Sequence, residues 1–227
     1  MSEHKHSTRM FSIVTETWNP VTGCLHHCKY CWARRFAETR LKNTKRYSQG
    51  FVPRLNREEL KKKFKGGVVF VSDMGDLFGE FIPDEWIEMV IRHVKKFPNT
   101  FFLFLTKNPS RYHNFDFPEN AILGATVETD RDEVYDGISK APAPSERIKA
   151  MTELDWNRKF LSVEPILDFS PMFWREIEKM NPFLVYVGYD NYNNKLPEPP
   201  IEKTRSLIKR MRDDGFTVIE KSMRREG

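Results

Sequence analysis

Cysteine is confined to one short segment of this sequence, which has three cysteines in 227 residues. Because every position outside residues 24–31 lacks cysteine, the chain cannot build the disulfide framework of a small secreted protein. Long apolar runs are also missing. The longest are VVFV and FFLFL, far shorter than the roughly 20 residues that a membrane-spanning helix needs.

The rest of the composition is typical of a folded protein. The chain is 39% hydrophobic and contains 18 Phe, which excludes a disordered chain, and its length is enough for a sizeable core. The first residues, MSEHKHSTRM, lack the apolar stretch of a signal peptide. We therefore expect a cytoplasmic protein without a membrane partner. It would form a single domain over residues 1–227, with residues 1–10 as a flexible tail.

Positive charge is concentrated in two places, and the net charge is +5 with a pI of about 9.0. The first group follows the cysteines and the second comes soon after; they comprise Arg34, Arg35, Arg40, Lys42, Lys45, Arg46, Lys61, Lys62, Lys63 and Lys65. Such groups fit nucleic-acid binding, and they fit a solvated helix face and loop equally well.

Short β-type runs alternate with helical patterns along the sequence. Several runs are almost continuously apolar, as in parallel strands that are covered on both faces. The predicted strands are residues 11–16, 67–72, 100–106, 121–128, 159–167, 182–188 and 216–222. Repeated β–α units indicate a parallel sheet, either an open doubly wound sheet or an incomplete barrel. Both place their chemistry at the carboxyl ends of the strands, and the cysteines directly follow the first one.

The three cysteines, Cys24, Cys28 and Cys31, are spaced C-x3-C-x2-C within TWNPVTGCLHHCKYCWARRF. One interpretation is zinc bound together with His26 or His27, although a site within one loop would staple little of the fold. A second is an incidental cluster of thiols. A third is a cubane iron–sulfur cluster, which usually takes four thiolates. Three thiolates leave one iron open to an exogenous ligand, and we favour this interpretation.

This spacing, with Tyr30 just before the last cysteine, resembles the signature of the radical S-adenosylmethionine (SAM) superfamily. The segments TWNPVTGC, VFVSDMGDLF, LTKNP, LGATVET and LSVEPIL are similar to the phage-associated three-cysteine-motif proteins, which are related to spore photoproduct lyase. The similarity covers roughly residues 17–167. After the sixth strand the sequence departs from the group, because VGYDNYNN stands where a glycine-rich turn is expected.

The resemblance implies a partial TIM-like barrel of about six parallel β/α units and a [4Fe-4S] cluster held by Cys24, Cys28 and Cys31. SAM would bind the open iron. An electron from a flavodoxin- or ferredoxin-like reductant protein would cleave SAM to methionine and a 5′-deoxyadenosyl radical, which takes hydrogen from the substrate. Nucleic acid is the first candidate substrate, for repair or modification. A partner chain is a candidate for closing the substrate side.

Polar residues at predicted strand ends are the candidate SAM ligands. Ser72 and Asp73 would bind the methionine amino group, although a helix-capping turn explains them as well. Thr126 and Glu128 would bind the ribose hydroxyls. Tyr30 would pack over the cluster or along the adenine.

The fifth predicted strand ends with Ser162 and Glu164, which are also candidate SAM ligands. A carboxylate in an apolar strand costs several kcal/mol unless it is paired. Glu164 therefore needs either the cofactor or a basic partner, and Lys107 is the candidate. Tyr189 and Tyr192 are candidate hydrogen donors. The two histidines, His26 and His27, are expected to tune the cluster or face solvent.

Two rival functions stay open at this point. One is an iron–sulfur electron-transfer or carrier protein that never cleaves SAM. The other is a zinc-stapled nucleic-acid-binding module. Release of methionine and 5′-deoxyadenosine would distinguish the first from the enzyme, and metal analysis would distinguish the second.

Overall fold

Strands and helices alternate along the chain in the computed structural model, which describes residues 10–224. The strands are β1 (Glu16–Trp18), β2 (Val21–Thr22), β3 (Arg54–Leu55), β4 (Val68–Val71), β5 (Phe101–Thr106), β6 (Ala121–Thr126), β7 (Lys159–Val163), β8 (Leu184–Gly188) and β9 (Val218–Lys221). The α-helices are α1 (Trp32–Thr39), α2 (Asp84–Val94), α3 (Asp132–Tyr135), α4 (Pro144–Glu153), α5 (Phe173–Met180) and α6 (Ile201–Asp213). Two 3-10 helices span Arg57–Lys61 and Pro109–Asn114.

Seven of these strands form one parallel sheet in the order β1-β4-β5-β6-β7-β8-β9. Each strand is added on the same side of its predecessor, whereas a doubly wound sheet reverses its order at a switch point. The sheet therefore curls into a half-barrel, and in the described residues its edge strands β1 and β9 do not pair with each other. This confirms the expected partial barrel, with seven parallel strands. β2 and β3 form a separate antiparallel pair.

The two faces of the sheet carry different cores because side chains alternate along each strand. Phe102 and Phe104 of β5 point outward into the large core under the helices, and Leu103 points into the barrel. Helix α2 covers the outer face with an apolar stripe that includes Ile87, Val90 and Val94. No helix within residues 10–224 combines the length and hydrophobicity needed to cross a membrane.

The barrel interior is filled from below by the segment before β1. Residues 11–16 were expected to form the first strand, and this prediction is wrong because residues 11–14 turn inward instead. The ring centroid of Phe11 lies 5.0 Å from that of Phe160 and 4.9 Å from that of Tyr186. Burying this aromatic ring fills the lower end of the half-barrel, which the inward side chains of the strands leave incomplete. The expected tail, residues 1–10, lies outside the described residues except for Met10.

Candidate functional site

A cavity of about 570 Å³ opens at the carboxyl ends of the strands. Its floor is apolar and includes Phe11 and Phe70, and its upper wall is polar. Of the residues selected from the sequence, the cavity brings together Cys24, Cys28, Cys31, Tyr30, Asp73, Thr126, Ser162 and Glu164. Ser72 and Glu128 do not line it and are buried behind its wall.

The cysteine loop, residues 23–31, is anchored at both ends by the backbone. Gly23 has φ +86°, and a Cβ there would lie 2.0 Å from the carbonyl oxygen of Val52, so only glycine fits. The backbone N–H of Cys24 donates to the carbonyl of Phe51 (3.2 Å). At the other end, the sulfur of Cys31 accepts from the backbone N–H of Arg34 (3.3 Å) and caps helix α1. The three thiols are thus presented on a fixed loop.

The thiols are weakly solvated and lie near one another. Burial raises the pKa of Cys24 well above its ordinary value, and the charges of Asp76 and of the other two cysteines add to this. Burial also raises the pKa of Cys31. The sulfur of Cys28 lies 3.1 Å from the hydroxyl of Ser139. Within residues 10–224, no three His, Cys, Asp or Glu side chains converge closely enough to hold one metal ion.

The two histidines of the loop have different environments. His26 is buried, and its Nε2 lies 3.0 Å from Asp76 Oδ2. Burial alone would raise the pKa of Asp76, but the hydrogen bond and charge of His26, together with the backbone N–H of Lys107 and the Thr106 hydroxyl, hold it below its ordinary value. His27 is exposed with φ +52°. His26 therefore ties the cysteine loop to the ends of β4 and β5.

A buried carboxylate network lies behind the cavity wall. Glu128 is fully buried; its Oε2 accepts from Arg147 Nη1 (2.6 Å) and its Oε1 from Lys107 Nζ (2.8 Å). The Tyr30 hydroxyl also donates to Oε1. Burial would raise the pKa of Glu128, but the charges of Arg147 and Lys107 hold it at about 2. Lys107, the expected alternative partner of Glu164, is thus bound to Glu128 instead.

The turn after β4 has a constrained backbone. Ser72 has φ +57°, and its buried hydroxyl has no partner among the described residues. Asp73 lines the cavity and accepts from Asn19 Nδ2 (2.5 Å). Burial raises the pKa of Asp73. Asp73 and Asp76 of this turn both line the cavity.

Glu164 faces the cavity with one oxygen bound and one oxygen free. Its Oε2 accepts from Lys221 Nζ of β9 (2.6 Å). Its Oε1 is buried and has no partner within the part of the chain that the structure describes. The basic partner that a buried carboxylate requires is therefore Lys221, and the expectation of Lys107 is wrong because that lysine reaches Glu128.

The loop after β8 covers part of the cavity mouth. Tyr189, Asp190 and Tyr192 all line the cavity. Asp190 holds the loop by accepting from the backbone N–H groups of Tyr192 (3.2 Å) and Asn194 (2.5 Å). The guanidinium of Arg35 lies over the ring of Tyr192, 4.9 Å from its centroid, and connects the loop to helix α1. Tyr189 is tied down, because its hydroxyl lies 2.6 Å from that of Thr204.

Three residues of this region were missed by the sequence analysis: Asp76, Arg147 and Lys221. The signal for Asp76 was present in SDMGD, where a second acid follows the strand by four residues. Arg147 lies on a helix of the outer layer, and Lys221 lies on the last strand. No local sequence pattern connects either of them to its carboxylate.

The chain is similar to one described family and to several solved structures. The family described as "Protein of unknown function (DUF5131)" matches residues 9–179. A comparison with curated proteins found no significant match. Among solved structures, spore photoproduct lyase complexed with dinucleoside spore photoproduct is similar, with a TM-score of 0.61 and 11% identity over 88% of this chain and 75% of that one.

Two further structures have the same fold. A mutant of spore photoproduct lyase with bound AdoMet and dinucleoside spore photoproduct has a TM-score of 0.56 and 13% identity over 86% of this chain and 60% of that one. A radical SAM methyltransferase from Sphaerobacter thermophilus has a TM-score of 0.54 and 14% identity over 95% of this chain and 68% of that one. The fold of this chain is therefore that of radical SAM enzymes.

Proposed function

Because the chain belongs to the DUF5131 family and has the fold of radical SAM enzymes, we propose that it is a radical SAM enzyme. The observation that carries the proposal is the position of Cys24, Cys28 and Cys31 in the wall of the cavity at the carboxyl ends of the strands. In an α/β barrel this end is where the chemistry takes place.

The donor set fits a [4Fe-4S] cluster better than a single zinc ion. Zinc needs its ligands to converge on one point, whereas the thiolates of a cubane bind different irons. The described thiols lie near one another without such convergence. Burial raises the pKa of Cys24 and Cys31 and so favours their neutral thiols, which means that a bound cationic centre is needed to stabilise the thiolates. When bound, the cluster would supply the electron that cleaves SAM.

The residues of the chain would bind and orient SAM in this cavity. The free Oε1 of Glu164 requires a hydrogen-bond donor, and the ammonium and ribose hydroxyls of SAM are such donors. Asp73, after β4, offers a second acceptor, and the cavity also contains Thr126 of β6 and Ser162 of β7. Tyr30 lines the cavity. Glu128 supports Tyr30 and Lys107 from behind, because both of its oxygens are already occupied.

The test is anaerobic reconstitution of the full chain with iron and sulfide, followed by SAM and dithionite. We expect about four irons per chain, as in one cubane cluster, and release of methionine and 5′-deoxyadenosine. Substitution of any one loop cysteine by Ala should abolish both, and Ser139→Ala, beside Cys28, is the control that keeps all three thiols. Stoichiometric zinc without iron would contradict the proposal. A stable cluster without SAM cleavage would favour the electron-transfer rival.

For the substrate we propose nucleic acid, to be repaired or modified. The similar spore photoproduct lyase was solved with a dinucleoside photoproduct bound. In this chain the exposed side chains of Arg35, Arg40, Lys42 and Lys45 lie on helix α1 or just after it, next to the cysteine loop. Such cations would bind backbone phosphates. A flavodoxin- or ferredoxin-like reductant and a cytoplasmic location complete the proposal.

A further inference from the structure

Two buried arginines, Arg147 and Arg111, bind the same kinds of partner: each donates to two backbone carbonyls and to one carboxylate. Arg147 donates to the carbonyls of Thr126 (2.8 Å) and Pro142 (2.8 Å) and to the carboxylate of Glu128. Arg111 donates to the carbonyls of Gly79 (2.6 Å) and Ile82 (2.9 Å) and to the carboxylate of Asp84. The Arg111 group fixes the start of helix α2. The Arg147 group continues into the cavity wall.

The connection runs from the outer helical layer to the cysteine loop through one carboxylate. Arg147, on helix α4, binds Oε2 of Glu128 just after β6. The other oxygen of Glu128 binds Lys107, just after β5, and the hydroxyl of Tyr30. Tyr30 lies between Cys28 and Cys31. The ammonium of Lys107 also lies 5.2 Å from the centroid of the Tyr30 ring.

The network carries more positive than negative charge. Lys107 and Arg147 carry two positive charges against the single negative charge of Glu128, so the buried group has an excess cation. A buried charge is costly unless it is paired, and an ion pair of one cation with Glu128 would have been enough for the carboxylate. The excess cation lies on the cavity side, since Lys107 lines the cavity and Arg147 does not.

We propose that the Arg147–Glu128 pair is a positioning device that fixes Tyr30 and Lys107 in the cavity wall and thereby holds the cysteine loop in the conformation that presents its thiols. Arg147 orients Glu128 because it also binds two backbone carbonyls, which fixes its guanidinium in place. Glu128 then has one geometry in which to accept from both Tyr30 and Lys107. The purpose of this arrangement, cluster binding, rests on the proposed function, whereas the mechanical connection does not.

Amide hydrogen exchange of the full chain without cluster tests the connection. We expect Arg147→Lys to speed exchange of the amides of residues 24–31 at least tenfold, because lysine keeps the charge but loses the carbonyl bonds that orient Glu128. Arg111→Lys is the matched control. It removes the same kinds of bonds and should lower the melting temperature similarly, but it should speed exchange at the start of α2 and leave residues 24–31 unchanged.

A second variant, Tyr30→Phe, keeps the ring and removes only the hydroxyl that donates to Glu128. It decides the question if Arg147→Lys does not fold, and we expect faster exchange of residues 24–31 here too. Unchanged exchange of the loop in Tyr30→Phe would overturn the proposal, as would an equal effect of Arg111→Lys on the loop. Iron analysis of the reconstituted wild-type chain separates the two ideas. A wild type that takes up no iron contradicts the proposed function, while loop exchange alone decides the positioning role.

Discussion

At the scale of single residues, two glutamates at the cavity, Glu128 and Glu164, are in opposite situations. Glu128 has both oxygens occupied and lies behind the cavity wall, whereas Glu164 keeps one buried oxygen without a partner among residues 10–224 and faces the cavity. A buried polar atom without a partner is rare in folded proteins and calls for a ligand or a water. Glu164 is therefore the better candidate for direct contact with the cofactor, and Glu128 for support.

Replacing Glu164 tests this difference. Glu164→Gln keeps the shape and removes the charge, so SAM affinity of the reconstituted protein should fall by about 1.5–3 kcal/mol, the range for losing a hydrogen bond to a charged group. This is roughly tenfold or more in dissociation constant and is measurable by isothermal titration. The control is Glu220→Gln on β9, where the exposed carboxylate pairs with Arg212 outside the cavity. Unchanged SAM affinity in a cluster-replete Glu164→Gln protein would remove Glu164 from the site.

The stability of the chain should depend on pH through Glu128. Its pKa is held at about 2, below the ordinary value of 4.5, so the stabilisation is complete above pH 4.5 and is lost as the pH falls toward 2. At about pH 3.5, the wild type should already have lost roughly 1.4 kcal/mol of this stabilisation. Glu128→Gln has no titrating group at this position, so its stability should not show this loss. In urea unfolding, the stability gap between the two proteins should therefore narrow from pH 6 to pH 3.5. A gap that stays constant would show that the carboxyl does not titrate as described.

At the scale of elements, the positive charge of the two basic segments is partly used within the fold. Arg46 binds Glu59 (2.9 Å), and Lys62 binds Glu16 (2.9 Å) and the carbonyl of Thr17 (3.1 Å). These two cations stabilise the packing of the segment between α1 and β4. The exposed cations of the same segment are the ones available to a polyanion.

Salt dependence of nucleic-acid binding tests the exposed cations. Lys61 and Lys63 are exposed on either side of the engaged Lys62. If both contact phosphates, replacing them with Gln should reduce the slope of log affinity against log salt by about 2, since each phosphate contact contributes about 0.9 on duplex DNA. The matched control replaces Lys95 and Lys96, which are exposed at the end of α2. Equal slopes in the two double variants would show that Lys61 and Lys63 are solvated and do not contact phosphates.

At the scale of the whole molecule, the sequence predicts the fold best where the burial of a strand is visible in its own residues. The apolar runs around Phe102, Leu123 and Val185 predicted three strands of the sheet, because a parallel strand covered on both faces is apolar throughout. The cysteine spacing likewise identified the loop at the cavity. Pairing across the fold was not predictable: Glu164 and Lys221 are 57 residues apart, and nothing local distinguishes that lysine from any other.

The same limit explains the misplaced first strand. Residues 11–16 are a short run with three consecutive β-branched residues, as in a strand, and only the finished half-barrel offers Phe11 an aromatic pocket between Phe160 and Tyr186. A local pattern cannot report a pocket that is built from strands more than a hundred residues later. The order of the strands, by contrast, follows from the chain itself, because consecutive β–α units with the same hand add neighbours on one side.

The inward segment before β1 also has a consequence for how the chain folds as it is made. The hydroxyl of Ser12 lies 2.7 Å from that of Tyr186, so this contact joins positions 174 residues apart. Contacts of such sequence separation form late, because closing a long loop costs more entropy than closing the shorter loops of nearby contacts. During synthesis the early β–α units can assemble one by one, but Phe11 has its complete pocket only once β8 has left the ribosome. Until then the apolar interior stays open, and the nascent chain is exposed to aggregation or to capture by chaperones.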